Sequence, residues 1–265
     1  MSRTIARPRT VTATRYVTPL REGGSLPGLV EADDDGLYVV KFRGAGQGPK
    51  ALIAELVVGE LGRALGLPVP EIVLVELDPA LGAAEPDPEV ADLVRGSGGT
   101  NFGIDFLPGA LAYSPAAGPG PGPEVAAAIV WFDALTTNPD RTPRNPNLLV
   151  WGKGTWCIDH GAALYVQHTW REPVEHARRP FEAIRDHVLL PIAGSIAEAD
   201  ARLAPLLSRG LLESIVELVP ARWLAGERAF ADERAHRMAY VDYLLGRIEA
   251  PRAFAQEADR ARQAA

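Results

Sequence analysis

The chain has 265 residues, of which 47% are hydrophobic and 23% charged, and a formal net charge of −7. Such a composition fits one large globular domain or two small lobes, excludes wholesale disorder, and argues against a general binder of nucleic acid or of an anionic membrane. A single cysteine, Cys157, rules out an internal disulfide and a four-cysteine zinc site. The basic start leads into no apolar stretch and no run approaches the ~18 apolar residues of a membrane span, so the expected location is the cytoplasm. Three of the 27 basic residues are lysine, namely Lys41, Lys50 and Lys153. Arginine is the default cation here, and a lysine inside an apolar strand raises the question of what needs an ammonium there.

In chain order, residues 1–14 read as a flexible arm rich in Thr and Arg. Residues 15–20 read as a strand, 21–28 as a glycine-rich turn, 29–32 as a strand and 33–36 as an acidic turn. Leu37-Tyr38-Val39-Val40-Lys41-Phe42 is the clearest strand of the first half. Residues 50–65 place Leu52, Ile53, Leu56, Val57, Leu61 and Leu65 at helical spacing, with Gly66 as the stop. A strand is expected at 72–77, a short helix at 88–95 and an extended segment at 101–107. The run Gly118-Pro119-Gly120-Pro121-Gly122-Pro123 excludes helix and inner strand. The expected plan is therefore an N-lobe at 15–107, a Pro/Gly-rich linker at 108–123 and a helical C-lobe at 124–265.

The chemistry concentrates in the stretch from Asn138 to Gly161, which opens Asn138-Pro139-Asp140-Arg141-Thr142-Pro143-Arg144-Asn145-Pro146-Asn147. Three prolines keep this opening out of a regular helix. Two apolar segments, 148–151 and 155–158, flank Gly152-Lys153-Gly154, which is a hairpin signal. An antiparallel hairpin returns Asp159 to the neighbourhood of Asn145 and Asn147, with Asp140 just before them. Carboxylate and amide oxygens so gathered suit Mg²⁺ together with phosphate oxygens, and a second carboxylate suits proton removal from a hydroxyl. Phosphoryl transfer needs these parts and a cation on the phosphates, which Lys41 would supply.

Asp140 with Asn145 five residues on, and Asp159-His160-Gly161 nineteen residues on, resembles the catalytic and metal-binding loops of the protein-kinase-like superfamily. The HipA-like kinases are the nearest resemblance. Tyr38 to Phe42 resembles their lysine strand. Glu55, followed by Gly66-Leu67-Pro68-Val69-Pro70, resembles their glutamate helix and its exit. The resemblance implies an α+β, two-lobed protein-kinase-like fold with a small antiparallel-sheet N-lobe. It implies an ATP- and Mg²⁺-dependent kinase of bacterial type, acting on a hydroxyl, most readily Ser or Thr of a protein. Asp140 would be the catalytic base, Asn145 and Asp159 the metal ligands, and Lys41 the phosphate contact oriented by Glu55. Gly23, Gly24 and Ser25 would cover the phosphates, and Phe106 and Leu107 would form the adenine hinge. The first turn lacks the Gly-x-Gly-x-x-Gly of protein kinases, His160 replaces the usual Phe, and Thr142 replaces a His. These departures keep two alternatives open: a degenerate kinase fold that binds a nucleotide or a protein partner, and a kinase of small molecules.

A helical wheel over 52–65 puts Glu60 on the apolar face and Glu55 opposite it, so the wheel prefers Glu60 as the partner of Lys41 while the resemblance prefers Glu55. The resemblance is followed. Asn147 reads as a strand start rather than a ligand, and Ser25 as a turn serine rather than a phosphorylation site. His160, His168 and His176 fit no compact zinc motif. Cys157, in a strand, reads as an inert core thiol.

Overall fold

The computed structural model describes residues 5–20, 26–118 and 120–265. Five strands, β1 (Arg9–Pro19), β2 (Gly28–Ala32), β3 (Leu37–Lys41), β4 (Ile72–Leu77) and β5 (Gly99–Asp105), lie in the order β1-β2-β3-β5-β4. All neighbours in that order are antiparallel, as in Lys41 opposite Phe102 and Leu74 opposite Phe102. The purely antiparallel expectation needs one correction. The first half of β1 runs past β2 and pairs in parallel with β4, Arg9–Thr12 against Val73–Glu76.

That same half of β1 corrects the expected arm, because regular structure begins at Arg9 rather than at residue 15. Val11 and Ala13 point inward and are buried, the Thr12 N–H donates to Asp33 Oδ1 at 2.8 Å, and Arg9 reaches Asp34 at 2.5 Å. The apolar side chains Val11, Val30, Val40, Val73 and Val75 form a small core enclosed by the sheet. Gly103 of β5 permits it. A Cβ there would stand 2.6 Å from Val75 Cγ2 and 2.9 Å from Val73 Cγ2, closer than side chains tolerate.

Helix α1 (Gly48–Ala64) opens with Pro49 in its first turn, where a missing N–H costs nothing. Every residue from Ala51 to Gly62 is buried. It lies between the sheet and two later helices, so the one-sided wheel does not describe it. Both Glu55 and Glu60 are buried, and Glu60 pairs with Arg63 at 3.6 Å. Helix α2 (Pro88–Gly96) follows β4 after a 3₁₀ turn.

Within the Pro/Gly-rich stretch, Leu111–Ala112 forms strand β6 and pairs with β7 (Leu148–Trp151), which pairs with β8 (Gly154–Cys157). The expected hairpin is therefore present, its turn passing through Gly152 at φ 60°. Helix α3 (Pro123–Thr136) is buried from Ala126 to its end. The remainder is helical: α4 (Pro173–Arg178), α5 (Ile196–Leu203), α6 (Arg209–Val216), α7 (Ala221–Leu224), α8 (Glu233–Ile248) and α9 (Ala253–Gln263). One continuous core joins α1 and β4 to α3, α8 and α9. Phe132 of α3 sits against Gly62 of α1, which fixes the end of α3 beneath the glutamate helix. Among the described residues, no helix is long and apolar enough to cross a membrane.

Candidate active site

Lys41 is the last residue of β3, and its side chain turns toward α1. Its Nζ lies 2.5 Å from Glu55 Oε1 and 2.7 Å from Asp159 Oδ1. The lysine side chain is 12% exposed and that of Glu55 1% exposed, so the contact is largely shielded from water. Burial works against the Lys41 ammonium, but the two carboxylates outweigh it and raise its pKa. Burial likewise pushes Asp159 upward, and Lys41 outweighs that and holds it below the usual carboxylate range. Glu55, buried more deeply, is raised by burial despite Lys41. The lysine is thus a fixed cation, and Asp159 is an anion with its side chain one-third exposed.

The backbone around Asp159 is gripped from both sides. Its φ is 54°, in the left-handed region that Asp tolerates better than most residues. Before it, the Ile158 carbonyl accepts from Arg141 Nη1 at 3.3 Å. After it, the His160 N–H donates to Glu55 Oε2 at 2.9 Å. Glu55 therefore holds both the lysine and the backbone that presents Asp159.

The loop carrying Asp140 leaves the end of α3. Thr137 closes that helix at φ 54°, and the Asn138 N–H returns to the Asp133 carbonyl at 2.9 Å. Asn138 Oδ1 accepts the Asp140 N–H at 3.1 Å. Asp140 Oδ2 accepts the amide N–H groups of Asn145 at 2.9 Å and of Asn147 at 3.2 Å. The two asparagines thus turn their nitrogens to Asp140, which leaves each Oδ1 for another partner. Asp140 and Asn145 are brought together as expected, and Asn147, expected to be a strand start, also joins them.

Sequence reasoning missed Arg141. Its side chain is fully buried and donates through Nε to Asp133 Oδ2 at 2.5 Å. Nη1 reaches the carbonyls of Asn147 and Ile158, and Nη2 faces His160 Nδ1 at 3.4 Å. One guanidinium thus ties the Asp140 loop to both ends of the β7–β8 hairpin. Asp133, fully buried, also accepts from His187 Nε2 at 2.9 Å. The Leu189 N–H donates to His187 Nδ1 at 3.1 Å, which fixes that tautomer. Burial would raise the Asp133 carboxyl, but Arg141 and His187 hold it well below the ordinary range. Burial first, then Arg141, pushes His160 down to about 3, so its ring is neutral. The available signal was Asp133 itself, the one charge within the apolar run Val125 to Leu135.

Phe106 and Leu107 follow β5. The Phe106 N–H donates to the Leu37 carbonyl at 3.0 Å, and Leu107 is buried. They stand at the start of β3 and Lys41 at its end, about 13 Å apart along the strand at ~3.3 Å per residue. Gly23, Gly24 and Ser25 lie outside the described residues. Cys157 is fully buried, and burial pushes its thiol up to about 12, as an inert core residue requires.

Among solved structures, the proinflammatory kinase CtkA of Helicobacter pylori superposes with a TM-score of 0.54 at 17% identity, covering 90% of this chain and 94% of that one. This likeness establishes a protein-kinase-like fold. The Golgi casein kinase gives a TM-score of 0.47 at 14% identity, covering 97% of this chain and 74% of that one. Its form with Mn/ADP bound gives 0.45 at 14% identity over 94% and 75%. No curated protein matches the sequence. The model of one family, described as HipA-like kinase, matches residues 14–257, nearly the whole length, and the chain belongs to that family of kinases.

Proposed function

We propose that the protein transfers the γ-phosphoryl group of ATP to a hydroxyl, that of Ser or Thr in a protein, with Mg²⁺ as the divalent ion. The observation that carries this reading is the single Lys41 ammonium held between Glu55 and Asp159. One ammonium faces two carboxyl groups, so the site favours a further cation. The donors suit magnesium. Asp159 offers a part-exposed carboxylate, and Asn145 offers an amide Oδ1 whose nitrogen is already engaged. Among the described residues no cluster of three His, Cys, Asp or Glu side chains exists to cage a metal. Magnesium needs no such cage, since it takes one or two carboxylates and completes its shell with water and phosphate oxygens. When bound, the ion supplies positive charge to the phosphate oxygens.

In this reading Lys41 steadies the α- and β-phosphates, and Glu55 keeps its ammonium aimed. Asp140 has Oδ2 occupied by two amides, so Oδ1 takes the acceptor's proton as the hydroxyl oxygen bonds to phosphorus and the bond to the β-phosphate oxygen breaks. Phe106 and Leu107 flank the adenine. Residues 9–107, from the start of β1, form the nucleotide lobe, 108–123 its link, and 124–265 the lobe that receives the acceptor. The cytoplasm is the setting, without nucleic-acid or membrane partners.

Thermal unfolding with and without ATP–Mg²⁺, on wild type and Asp159→Ala, tests the reading. Ligand at about 100 times its dissociation constant adds ~2.7 kcal/mol, or roughly 5–10 °C in a chain of this size. A shift in wild type that Asp159→Ala abolishes is expected. No shift in wild type refutes the assignment.

A further inference from the structure

Lys50 is one of three lysines in a chain that otherwise uses arginine, and the proposed chemistry leaves it unused. It sits in the first turn of α1, on the same rigid helix as Glu55 and about 7.5 Å away along the axis at 1.5 Å per residue. Its Nζ donates to the Gln167 carbonyl at 2.6 Å and pairs with Glu227 Oε2 at 2.8 Å. These partners come from two different parts of the chain. A compact ammonium meets oxygens arriving from two directions, where a planar guanidinium fork fits a single two-oxygen partner best.

Gln167 is firmly held. It is fully buried, its Oε1 accepts the Tyr240 hydroxyl at 2.9 Å, and its backbone N–H donates to the Leu164 carbonyl at 2.9 Å. From there the chain runs back to the metal-side loop through the Ala163 N–H, which donates to the His160 carbonyl at 3.0 Å. Lys50 therefore joins the start of the glutamate helix to the segment after Asp159. A separate tie joins α7 to the sheet: Trp223 donates Nε1–H to the Thr100 carbonyl of β5 at 3.0 Å.

We infer that Lys50 is a positioning residue. Through Gln167 it fixes α1 against the segment after Asp159, with Glu227 between α7 and α8 as its counter-charge, so that Glu55, Lys41 and Asp159 stay in register. The catalytic consequence rests on the function proposed above, whereas the mechanical coupling does not.

The test compares wild type, Lys50→Met, Glu55→Gln and the double variant. Hydrogen exchange comes first. Lys50→Met is expected to speed exchange at least tenfold in the first turns of α1 and in residues 163–168, while α9 is unchanged. Unchanged exchange in both segments overturns the inference, and so does a uniform rise that includes α9. Turnover of ATP comes second. In Lys50→Met kcat is expected to fall about tenfold with KM for ATP–Mg²⁺ within threefold, and Lys50→Met added to Glu55→Gln should cost nothing further. Multiplicative losses in the double variant overturn the action through Glu55. Wild type that exchanges as expected but turns over no ATP refutes the kinase chemistry and leaves the coupling of α1 to the Asp159 segment supported.

Discussion

Replacing Asp133 by Asn preserves shape and removes one charge from the most deeply buried ion pair among the described residues. Asp133 and Arg141 side chains are both 0% exposed, and their closest atoms stand 2.5 Å apart. The aspartate also receives His187 at 2.9 Å and the Asn138 side-chain amide at 3.2 Å. After substitution the guanidinium stays buried with only uncharged partners. Breaking a buried pair from one side costs about 3–5 kcal/mol, most of it the exposure of the surviving charge to an environment that does not compensate it. At roughly 2–4 °C per kcal/mol for a chain of this size, Tm should fall by about 6–20 °C. Thermal and urea unfolding read this directly. A paired replacement, Asp133→Leu with Arg141→Met, should recover much of the loss, because no buried charge remains. It should not recover turnover, because the clasp from Arg141 to the Asn147 and Ile158 carbonyls is gone. A cost below about 1 kcal/mol for Asp133→Asn would refute the reasoning, since a pair that water reaches behaves that way.

The site carries two further expected outcomes. Asp140→Asn should lower turnover by about 10²–10⁴ while the ATP–Mg²⁺ thermal shift persists, because a general base contributes to the transition state and not to nucleotide binding; loss of the shift as well would show that Asp140 holds the ligand. Stability should also decline as pH falls. All five histidines are held below their ordinary value, with burial as the largest cause. The unfolded chain then binds protons first, so stability is complete above about pH 6.5 and is lost below it. His160, with its pKa near 3, accounts for on the order of 1 kcal/mol at pH 5.5 and the others act in the same direction; urea midpoints that stay constant between pH 7.5 and 5.5 would contradict this.

Features decided by local rules were legible in the sequence. Gly152-Lys153-Gly154 between two apolar segments specifies a hairpin, and the hairpin alone returns Asp159 to the start of β7. Features decided by distant partners were not. The early start of β1 depends on Asp33 and on a parallel neighbour some sixty residues away. The choice between Glu55 and Glu60 misled the helical wheel because a wheel assumes one wet face, and α1 has none over most of its length. Arg141 escaped notice because arginine is seldom fully buried, and nothing in its immediate neighbours announces the carboxylate waiting on α3.

Asp133 and Glu55 together explain why Asp159 stands where it does. Each is a buried carboxylate on a helix that is apolar nearly all round, and each holds a cation: Arg141 in one case, Lys41 in the other. Arg141 takes the carbonyl before Asp159, and Glu55 takes the N–H after it. A left-handed backbone costs a non-glycine residue about 1–3 kcal/mol and persists when its surroundings over-determine it. Here the two flanking peptide groups are fixed independently, one by Arg141 of the loop after α3 and the other by Glu55 of α1. The same two carboxylates set the charge balance, since Arg141 cancels Asp133 within the interior while Lys41 is shared between Glu55 and Asp159. Of these three carboxylates only Asp159 reaches solvent. The negative charge left over therefore collects there, which is where the proposed metal–nucleotide would be met.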